Sequence, residues 1–390
     1  MSFSGSTAIV GIGESEIGRV PHLSSLGLIA LASKRALDDA GLKLSDIDGL
    51  LTTYSLTEPY LMYGGVVAEY LGIKPRHCAS MVVGGGTPTI MLLHAAAAIH
   101  AGLANVVLVC SGENRATGGD QAAMRLALSS AVGHPSYERP FGLSIPGAYA
   151  MVTKRYMQKY GLKREDLALV PVTTRRHASL HPLSHMKNII TVEDVLNSRE
   201  IASPLNLLDC CSFSDGGGAF IVTSAERAKD LKSKPAYLLG GGEHHTHEHL
   251  VFADSIEHFG SKESGRLAFQ MAGVSPGDID VAELYDCFSI VPILELEELG
   301  FCEPGEGGVF YREGKAAIGG KMPVNTHGGM LSHAHAGPAG GLFAIVEAVA
   351  QLRGGLGKRQ VKDAEVALVH NEGGILSSHC TVILAKERRA

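Results

Sequence analysis

Residues 36–48, ALDDAGLKLSDID, recur as AFQMAGVSPGDID at residues 268–280. Six of the thirteen positions are identical, and each copy ends a helical stretch at an Ala-Gly pair, makes a polar turn and enters an apolar segment. Glycine is the residue that most often ends a helix in the left-handed conformation. A helix–turn–strand sequence is common by itself, but a match this close, 232 residues apart, favours an internal duplication.

Both halves of the chain also place a glycine-rich turn between a strand and a long apolar helix. In the first half, residues 84–86 (Gly-Gly-Gly) precede an alanine-rich helix over about 88–101. In the second half, residues 325–329 (Asn-Thr-His-Gly-Gly) precede a helix over about 340–352. Such turns expose backbone N–H groups at the positive end of a helix, a position that suits an anion or a developing oxyanion.

The length and composition of the chain fit two halves of similar construction. The chain has 390 residues, of which 45% are hydrophobic and 19% are charged, typical of a well-buried globular protein too long for one ordinary core. We therefore predict an α/β protein with an N-terminal half at residues 1–230 and a C-terminal half at residues 231–390. Within the first half, residues at about 115–200 are predicted to be an irregular, helix-containing insertion, a natural place for a substrate pocket.

Charge, cysteine spacing and hydropathy argue against several classes of protein. The net charge is −6 and no basic cluster occurs, which disfavours a nucleic-acid partner. The seven cysteines include no CxxC pair, residues 1–13 lack the charged segment expected of a secretory signal, and no long apolar run occurs. We therefore expect a reducing, cytoplasmic location without a membrane span. The histidine-rich run at residues 243–249 resembles metal ligands, but no second segment matches it, and we favour a polar loop over a metal site.

The strongest chemical signal is VNTHGGMLSHAHAGPAGG, residues 324–341. It places His333 and His335 in a turn of small residues directly ahead of a helix, where a substrate can approach the backbone closely. A histidine at this point can donate a hydrogen bond to a developing oxyanion or transfer a proton near neutral pH. We favour His335 as the functional residue and a structural role for His333.

A second signal is ELYDCFSI, residues 283–290, which follows the strand of the repeat. This spacing puts Tyr285 and Cys287 at a strand end, and both side chains can carry protons if their pKa values are shifted. The segment alone is a weak signal. Together with the histidine turn it is a good signal for a catalytic site.

Over nearly its whole length the sequence resembles thiolases of the sterol-carrier-protein type. The segments that carry the resemblance are AIVGIGESEIGR near the start, KRYMQKYG at 154–161, SDGGGAF at 214–220 and HNEGG at 370–374, in the order of the family. The resemblance implies a duplicated α/β/α/β/α five-layer fold. It also implies an acyl-CoA thioester as the substrate, no further cofactor, and a homodimer.

The resemblance assigns roles to residues of this chain. His335 would help to form an oxyanion hole for the thioester carbonyl, and Cys287 would act as the acid/base. Tyr285 stands where the family has histidine, so one oxyanion or water-anchoring contact has changed its chemistry. Further site residues implied by the same resemblance are His370, Asn371 and Gly373.

The important departure from the family is at its nucleophilic cysteine. In the family this cysteine caps the long helix of the first half, and the matching position here is Gly85, with Gly86 beside it. These two glycines offer only backbone groups to an oxyanion or a substrate. Cys78 resembles the cysteine motif but comes seven residues too early, inside the preceding strand, and nothing nearby in sequence would activate Thr87.

Three functions stay open from the sequence. We favour a carbon–carbon bond enzyme of retro-aldol or Claisen type that acts on an acyl-CoA without a covalent acyl-enzyme. The alternatives are a true acyl-CoA acyltransferase that uses the displaced Cys78, and a non-catalytic acyl-CoA-binding subunit. Thiolase-like aldolases that act on steroid side chains also carry tyrosine at the position of Tyr285 and work with a small OB-fold protein, so the resemblance implies such a partner.

Overall fold

The computed structural model describes residues 4–120 and 132–388. Part of the predicted insertion, residues 121–131, therefore lies outside the described residues. The strands are β1 (Thr7–Glu14), β2 (Gly49–Thr52), β3 (His77–Ser80), β4 (Val106–Asn114), β5 (Glu200–Ala202), β6 (Leu205–Asn206), β7 (Asp215–Ser224), β8 (Ala236–His245), β9 (Val281–Leu284), β10 (Val366–Gly373) and β11 (Ser378–Ala385). The described α-helices are α1 (Ser25–Ala40), α2 (Tyr63–Leu71), α3 (Thr87–His100), α4 (Ile145–Tyr160), α5 (Arg164–Leu180), α6 (Val192–Asn197), α7 (Ala225–Ala228), α8 (Ser261–Ala272), α9 (Val291–Glu298), α10 (Gly307–Arg312) and α11 (Gly340–Arg353). None of these helices combines the length and the apolar character needed to cross a bilayer.

The long strands form one mixed sheet in the order β3-β2-β4-β7-β1-β8-β11-β10-β9. Strand β1 pairs antiparallel with β7 from Thr7–Ser224 to Glu14–Gly218, but with β8 only at Ala8–Tyr237 and Ile9–Ala236. The sheet is therefore two ladders joined by a short contact, and each ladder has parallel strands at its outer end. The predicted boundary at residue 230 falls in the connection between β7 and β8 and stays a prediction.

Two apolar helices, α3 and α11, lie between the two ladders. They contact each other and strands of both ladders. Both helices are buried on nearly every side rather than along one stripe, which is how a helix that is hydrophobic all round packs. Helix α1 covers the outer face of the first ladder and α8 covers the outer face of the second. These five layers confirm the α/β/α/β/α arrangement predicted from the sequence.

The two copies of the sequence repeat adopt the same backbone path. Helix α1 ends at Gly41 and α8 ends at Gly273, where φ is 72° and 66°, in the left-handed region that favours glycine. Each copy then makes one turn of 3-10 helix, at Leu44–Asp46 or Pro276–Asp278, and enters β2 or β9. The repeated residues therefore specify the same helix–turn–strand unit on each ladder.

Candidate functional site

Two adjoining cavities lie at the N-terminal ends of α3 and α11. The wide cavity has a volume of about 560 Å³ and the apolar cavity one of about 400 Å³. Residues that line the wide cavity alone include Tyr54, Leu56, Gly85, His245, Glu248 and Pro338. Residues that line the apolar cavity alone include Tyr149, Leu207, Cys211, Phe213, Cys287 and Phe288. The polar side chains of Arg115, Tyr285 and His335, together with Ile145 and Gly374, line both cavities and mark the junction.

The turn that carries the two histidines is held by a buried carboxylate. Residues Gly329–His333 form a single π-type turn. Asp286 accepts hydrogen bonds from the N–H groups of Met330 (2.6 Å) and Leu331 (3.5 Å) in this turn. Burial raises the pKa of Asp286 to about 7, and the backbone donors act in the opposite direction. The strand-end segment thus shapes the histidine turn in addition to lining the cavities.

The imidazole of His335 is a hydrogen-bond donor through its Nε2. Its Nδ1 lies 2.9 Å from Nη1 of Arg115, and because arginine can only donate, Nδ1 must accept. The Sγ of Cys211 lies 3.5 Å from the same nitrogen. Burial lowers the pKa of His335 well below its usual value and Arg115 lowers it further, so the ring is neutral and keeps its proton on Nε2. A neutral N–H at the junction is the kind of donor an oxyanion hole requires.

The hydroxyl of Tyr285 occupies the space into which a side chain at position 85 would project. A Cβ built on Gly85 would lie 2.2 Å from the tyrosine oxygen and 2.3 Å from Cζ, closer than real contacts allow. Burial raises the pKa of Tyr285 well above its usual value, and Cys287 and Glu372 raise it further, so the phenol keeps its proton. The gap at the position of the family's nucleophile is therefore filled by a proton-carrying side chain from the segment after β9.

The other groups predicted near the α3 tip do not supply a reactive side chain. The hydroxyl of Thr87 is buried; it accepts from Val83 N–H (2.9 Å) and donates to the carbonyl of Gly84 (2.6 Å). Gly86 is the N-cap of α3. Cys78 lies exposed in the edge strand β3 and lines neither cavity. The position of Cys78 gives no support to the alternative of a displaced nucleophile.

A buried carboxylate stands behind the apolar cavity. Glu372 accepts a short hydrogen bond from the Tyr149 hydroxyl and a bond of 2.9 Å from Leu376 N–H, and its Oε1 lies 3.7 Å from Sγ of Cys287. Burial raises the pKa of Glu372 to about 7 against the effect of these donors. Burial also raises the pKa values of Tyr149 and Cys287 well above their usual ranges. Glu372 is therefore the member of this group that changes charge near neutral pH.

His370, predicted as a catalytic residue, lines neither cavity. Its Nδ1 lies 2.8 Å from Oγ1 of Thr381, and its Nε2 lies 3.3 Å from Nδ1 of His379 and 3.7 Å from a carboxylate oxygen of Glu295. Side chains alternate between the faces of a strand, and position 370 points toward the side of β10 occupied by α9, which carries Glu295. The structure does not bring His370 to the junction.

Asn371 and Gly373, predicted to contact the substrate, hold the two central helices and the α3 turn in place. The Asn371 amide donates to Oγ1 of Thr89 in α3 (2.6 Å) and to the carbonyl of Gly341 in α11 (3.0 Å). A Cβ on Gly373 would lie 2.1 Å from the carbonyl oxygen of Val83, so only glycine allows β10 to approach the α3 turn this closely. Neither residue lines a cavity.

His333 does not share a cavity with the other histidine of its turn. Its Nε2 lies 3.3 Å from a carboxylate oxygen of Glu14, and ligand atoms of Glu14, His181 and His333 come within 4.8 Å of one another. Leu183 N–H donates to Nδ1 of His181 (3.2 Å), which leaves the proton of that ring on Nε2, the tautomer of a donor rather than of a metal ligand. Burial acts to raise the pKa of Glu14, but His333 and His181 hold it at about 2.

The histidine-rich run at 243–249 covers one edge of the wide cavity. His245 lines that cavity. Nε2 of His247 lies 3.1 Å from the carbonyl oxygen of Ile375, and Nδ1 of His249 lies 3.4 Å from that of Val132. The two ring nitrogens are therefore engaged with backbone oxygens.

Four side chains of the site went unnoticed in the sequence: Arg115, Tyr149, Cys211 and Glu372. Glu372 stands inside the HNEGG segment, so the segment itself was a signal for it. The other three come from elements far apart along the chain and meet only at the cavities. No local pattern in the sequence points to them.

The relatives of the chain agree with this architecture. A family model described as "Thiolase C-terminal domain-like" matches residues 242–386. The acetyl-CoA acetyltransferase of Methanothermobacter thermautotrophicus is 35% identical, over 94% of this chain and 96% of that protein. The chain belongs to the thiolase superfamily. Another member, the 17-hydroxy-3-oxo-4-pregnene-20-carboxyl-CoA lyase of Mycobacterium tuberculosis, is 38% identical over 90% of this chain and 92% of its own length.

Among solved structures, the Ltp2-ChsH2(DUF35) aldolase matches this thiolase-superfamily chain with a TM-score of 0.87 and 35% sequence identity, over the full length of both chains. The resemblance predicted from the sequence is therefore confirmed. The names of these superfamily members divide between acyl transfer and carbon–carbon bond cleavage. Which of these two reactions this chain catalyses must be inferred from its own site.

Proposed function

We propose that this thiolase-superfamily chain cleaves a carbon–carbon bond of a CoA thioester by a retro-aldol reaction, without a covalent acyl-enzyme. The observation that carries the proposal is the Tyr285 hydroxyl at the tip of α3, 2.2 Å from where a Cβ of residue 85 would stand. A phenol at this point can transfer a proton but does not form a thioester. The lyase and the aldolase among the relatives support the same class of reaction.

The two cavities suit the two parts of such a substrate. The wide cavity, with polar groups such as His245 and Glu248 at its edge, would take the pantetheine arm of CoA. The apolar cavity would take the acyl group, because apolar lining stabilises apolar ligand surface. The thioester carbonyl would then lie at the junction, within reach of His335 and Tyr285. The CoA thioester is the substrate, and the mechanism uses no other cofactor.

Bond cleavage begins with the hydroxyl on the β-carbon of the acyl group. Its proton passes to Tyr149 as the Tyr149 hydroxyl gives its own proton to Glu372, so no phenolate needs to form in the buried site. The electron pair of the O–H bond forms the new carbonyl, and the pair of the Cα–Cβ bond moves to the thioester as an enolate. Nε2–H of His335 donates a hydrogen bond to the enolate oxygen, where charge develops.

The second product is completed by a proton on Cα. Tyr285 supplies this proton from the tip of α3, next to the positive end of the helix. As Tyr285 gives up this proton it takes the proton held by Glu372 through Cys287, whose thiol lies 3.7 Å from the carboxylate, so no phenolate needs to form at this step either. The carbonyl product and the shortened acyl-CoA leave, and every side chain regains its starting protonation state.

An acyltransferase would need a thiolate at the junction. Cys211 and Cys287 line the apolar cavity, but burial raises the pKa of Cys211 to about 12 and that of Cys287 well above its usual range. Thiols with such pKa values stay protonated at pH 7 and are poor nucleophiles. This is why the retro-aldol reaction is preferred over the acyltransferase alternative.

The proposal is tested with synthetic 3-hydroxyacyl-CoA thioesters that carry a tertiary hydroxyl and apolar chains of graded size. The expected products are a ketone and a shortened acyl-CoA, with the intact protein mass unchanged during turnover. Tyr285→Phe is expected to lower turnover by roughly 10²-fold, the usual size for a lost proton carrier. A stable acyl adduct on a cysteine would point to acyl transfer, and tight binding without turnover would point to a non-catalytic subunit.

Assembly and location complete the proposal. The name of the related aldolase joins Ltp2 with ChsH2(DUF35), which supports a small OB-fold partner protein for this chain as well. We further propose a homodimer in the cytoplasm. Sedimentation of the chain, alone and with a candidate partner such as ChsH2, separates a monomer, a homodimer and a mixed complex. Turnover is measured on each species.

A further inference from the structure

Arg115 is a buried cation at the junction of the cavities, and the part of the chain that the structure describes gives it no carboxylate partner. Its side chain is 6% exposed and lines both cavities. Among the residues described, no carboxylate oxygen comes within 4.0 Å of its guanidinium, and its Nε has no hydrogen-bond partner. The undescribed residues 1–3, 121–131 and 389–390 contain no aspartate or glutamate in the sequence. No acidic side chain elsewhere in the chain is therefore left over to pair with Arg115.

Glu113 and Asp215, whose side chains serve the segment around Arg115, are committed to other donors. Glu113 accepts hydrogen bonds from the hydroxyls of Ser25 (2.8 Å) and Ser55 (3.2 Å) and from Leu56 N–H (2.6 Å). Asp215 accepts from the backbone N–H groups of residues 116 (2.7 Å) and 117 (3.0 Å). The bonds to Asp215 fix the backbone that follows Arg115, and neither carboxylate comes within 4.0 Å of its guanidinium.

The guanidinium is also held rigidly. Its Cζ lies 3.9 Å from the centre of the Phe213 ring, a cation–π contact, and its Nη1 donates to Nδ1 of His335 at 2.9 Å. Only one of its five N–H groups is used in that hydrogen bond. The planar guanidinium is thus oriented before any ligand binds. Such a preset orientation favours bidentate hydrogen bonding to a carboxylate.

The enolate of the thioester is not placed to use this charge directly. Arg115 contacts Nδ1 of His335, and the enolate oxygen is assigned to Nε2 on the opposite edge of the ring. The free N–H groups of the guanidinium therefore serve a second anion. Among the described residues that line the apolar cavity, Arg115 is the one with a permanent charge, and a buried charge needs a partner of opposite sign.

We propose that Arg115 binds a carboxylate of the acyl group, so that the substrate is the monothioester of CoA with a dicarboxylic acid. This inference rests on the proposed function, because it assumes a CoA thioester at the junction. A cavity of about 150 Å³ holds one benzene molecule. The apolar cavity of about 400 Å³ therefore has room for an apolar group of two or three rings beside the carboxylate.

The test compares binding of glutaryl-CoA and pentanoyl-CoA, which share a five-carbon chain and differ in a terminal carboxylate or methyl group. Isothermal titration calorimetry needs no turnover, so it separates binding from chemistry. We expect glutaryl-CoA to bind at least about tenfold more tightly, the size of one charge-assisted hydrogen bond. Arg115→Met should remove the preference by weakening glutaryl-CoA binding at least about tenfold more than pentanoyl-CoA binding, and Arg115→Lys should keep part of the preference. Thermal unfolding of each variant establishes that it is folded.

Each result of this comparison is informative. Equal binding of the two thioesters to the unaltered protein overturns the carboxylate inference and leaves the retro-aldol proposal standing. A preference that persists in folded Arg115→Met places the anion elsewhere and overturns the role of Arg115. Failure of both thioesters to bind contradicts the proposed use of CoA thioesters and, with it, this inference.

Discussion

The turn before α3 and the turn before α11 stand at the same stage of the repeated unit, yet their side-chain chemistry differs completely. Residues 84–86 are bare glycine, and the Thr87 hydroxyl is bound within its own turn. The second turn presents His335 as a neutral donor at the cavity junction. Tyr285, from a third segment, fills the space above Gly85. Equivalent positions in a duplicated fold therefore need not keep equivalent roles. A side chain from a neighbouring segment, here Tyr285, can supply the functional group that the turn before α3 lacks.

The two histidines of the turn before α11 also differ in role, although they are close in sequence. His333 and His335 are two residues apart and both are buried, but one meets Glu14 and the other meets Arg115. Their partners separate a structural histidine from one at the cavity junction. Substitutions can test both the contrast between the two turns and the contrast between the two histidines.

The largest effect is expected from His335→Ala. Loss of an oxyanion donor typically lowers turnover by about 10³-fold. The matched substitution His333→Ala should instead lower the temperature of unfolding, because buried Glu14 loses its partner, and turnover per folded molecule should stay near the original. Steady-state kinetics and thermal unfolding of both variants check this, and equal losses of turnover would abolish the distinction between the two histidines.

The pH dependence of turnover separates Glu372 from the other buried carboxylate of the site. Glu372 must be deprotonated to accept the substrate proton, and burial raises its pKa to about 7, so kcat/KM should rise through pH 7 and level off above it. Glu372→Gln should lower the plateau by about 10²-fold and remove the rise. Asp286 also has a pKa of about 7 but only holds the histidine turn, so Asp286→Asn should keep the rise. A rise that survives Glu372→Gln would show that another group is the base.

The contact between Gly85, at the tip of α3, and the ring of Tyr285 can be tested without any substrate. Gly85→Ala should lower the free energy of unfolding by about 1–3 kcal/mol, the usual cost of overpacking, because its Cβ meets the Tyr285 ring. In the Tyr285→Ala background the same change should cost almost nothing. A double-mutant cycle in urea measures the difference. Equal costs in the two backgrounds would mean that the tyrosine does not occupy the space above Gly85.

The smallest effect is expected at the cysteine that imitates the family nucleophile. Cys78→Ser should change turnover by less than about twofold, as surface substitutions away from a site do. Labelling of exposed Cys78 by iodoacetamide should be unaffected by acyl-CoA. Protection of Cys78 by acyl-CoA, together with a large loss of turnover, would restore the acyltransferase alternative.

Much of the fold was predictable because its signals are local. Helix ends at glycine, apolar periodicity and the repeat at 36–48 and 268–280 act over a few residues, and the structure forms the same unit from each copy. The places of Tyr285 and His335 beside a strand end and a helix start were predictable for the same reason, and their catalytic roles stay predictions. The predicted role of His370 gains no support from its position, because the alternation of side chains along β10 turns this residue away from the cavities.

The sequence by itself determined the repeated helix–turn–strand units, the two glycine-rich turns and the absence of a cysteine at the first of them. Only the tertiary structure decided that the ring of Tyr285 fills the space above Gly85, that Arg115 fixes the tautomer of His335, and that Glu372 stands behind the apolar cavity. Backbone conformation depends on neighbours in the chain. Ring placement, tautomers and pKa values depend on which distant groups share a buried, weakly screened space.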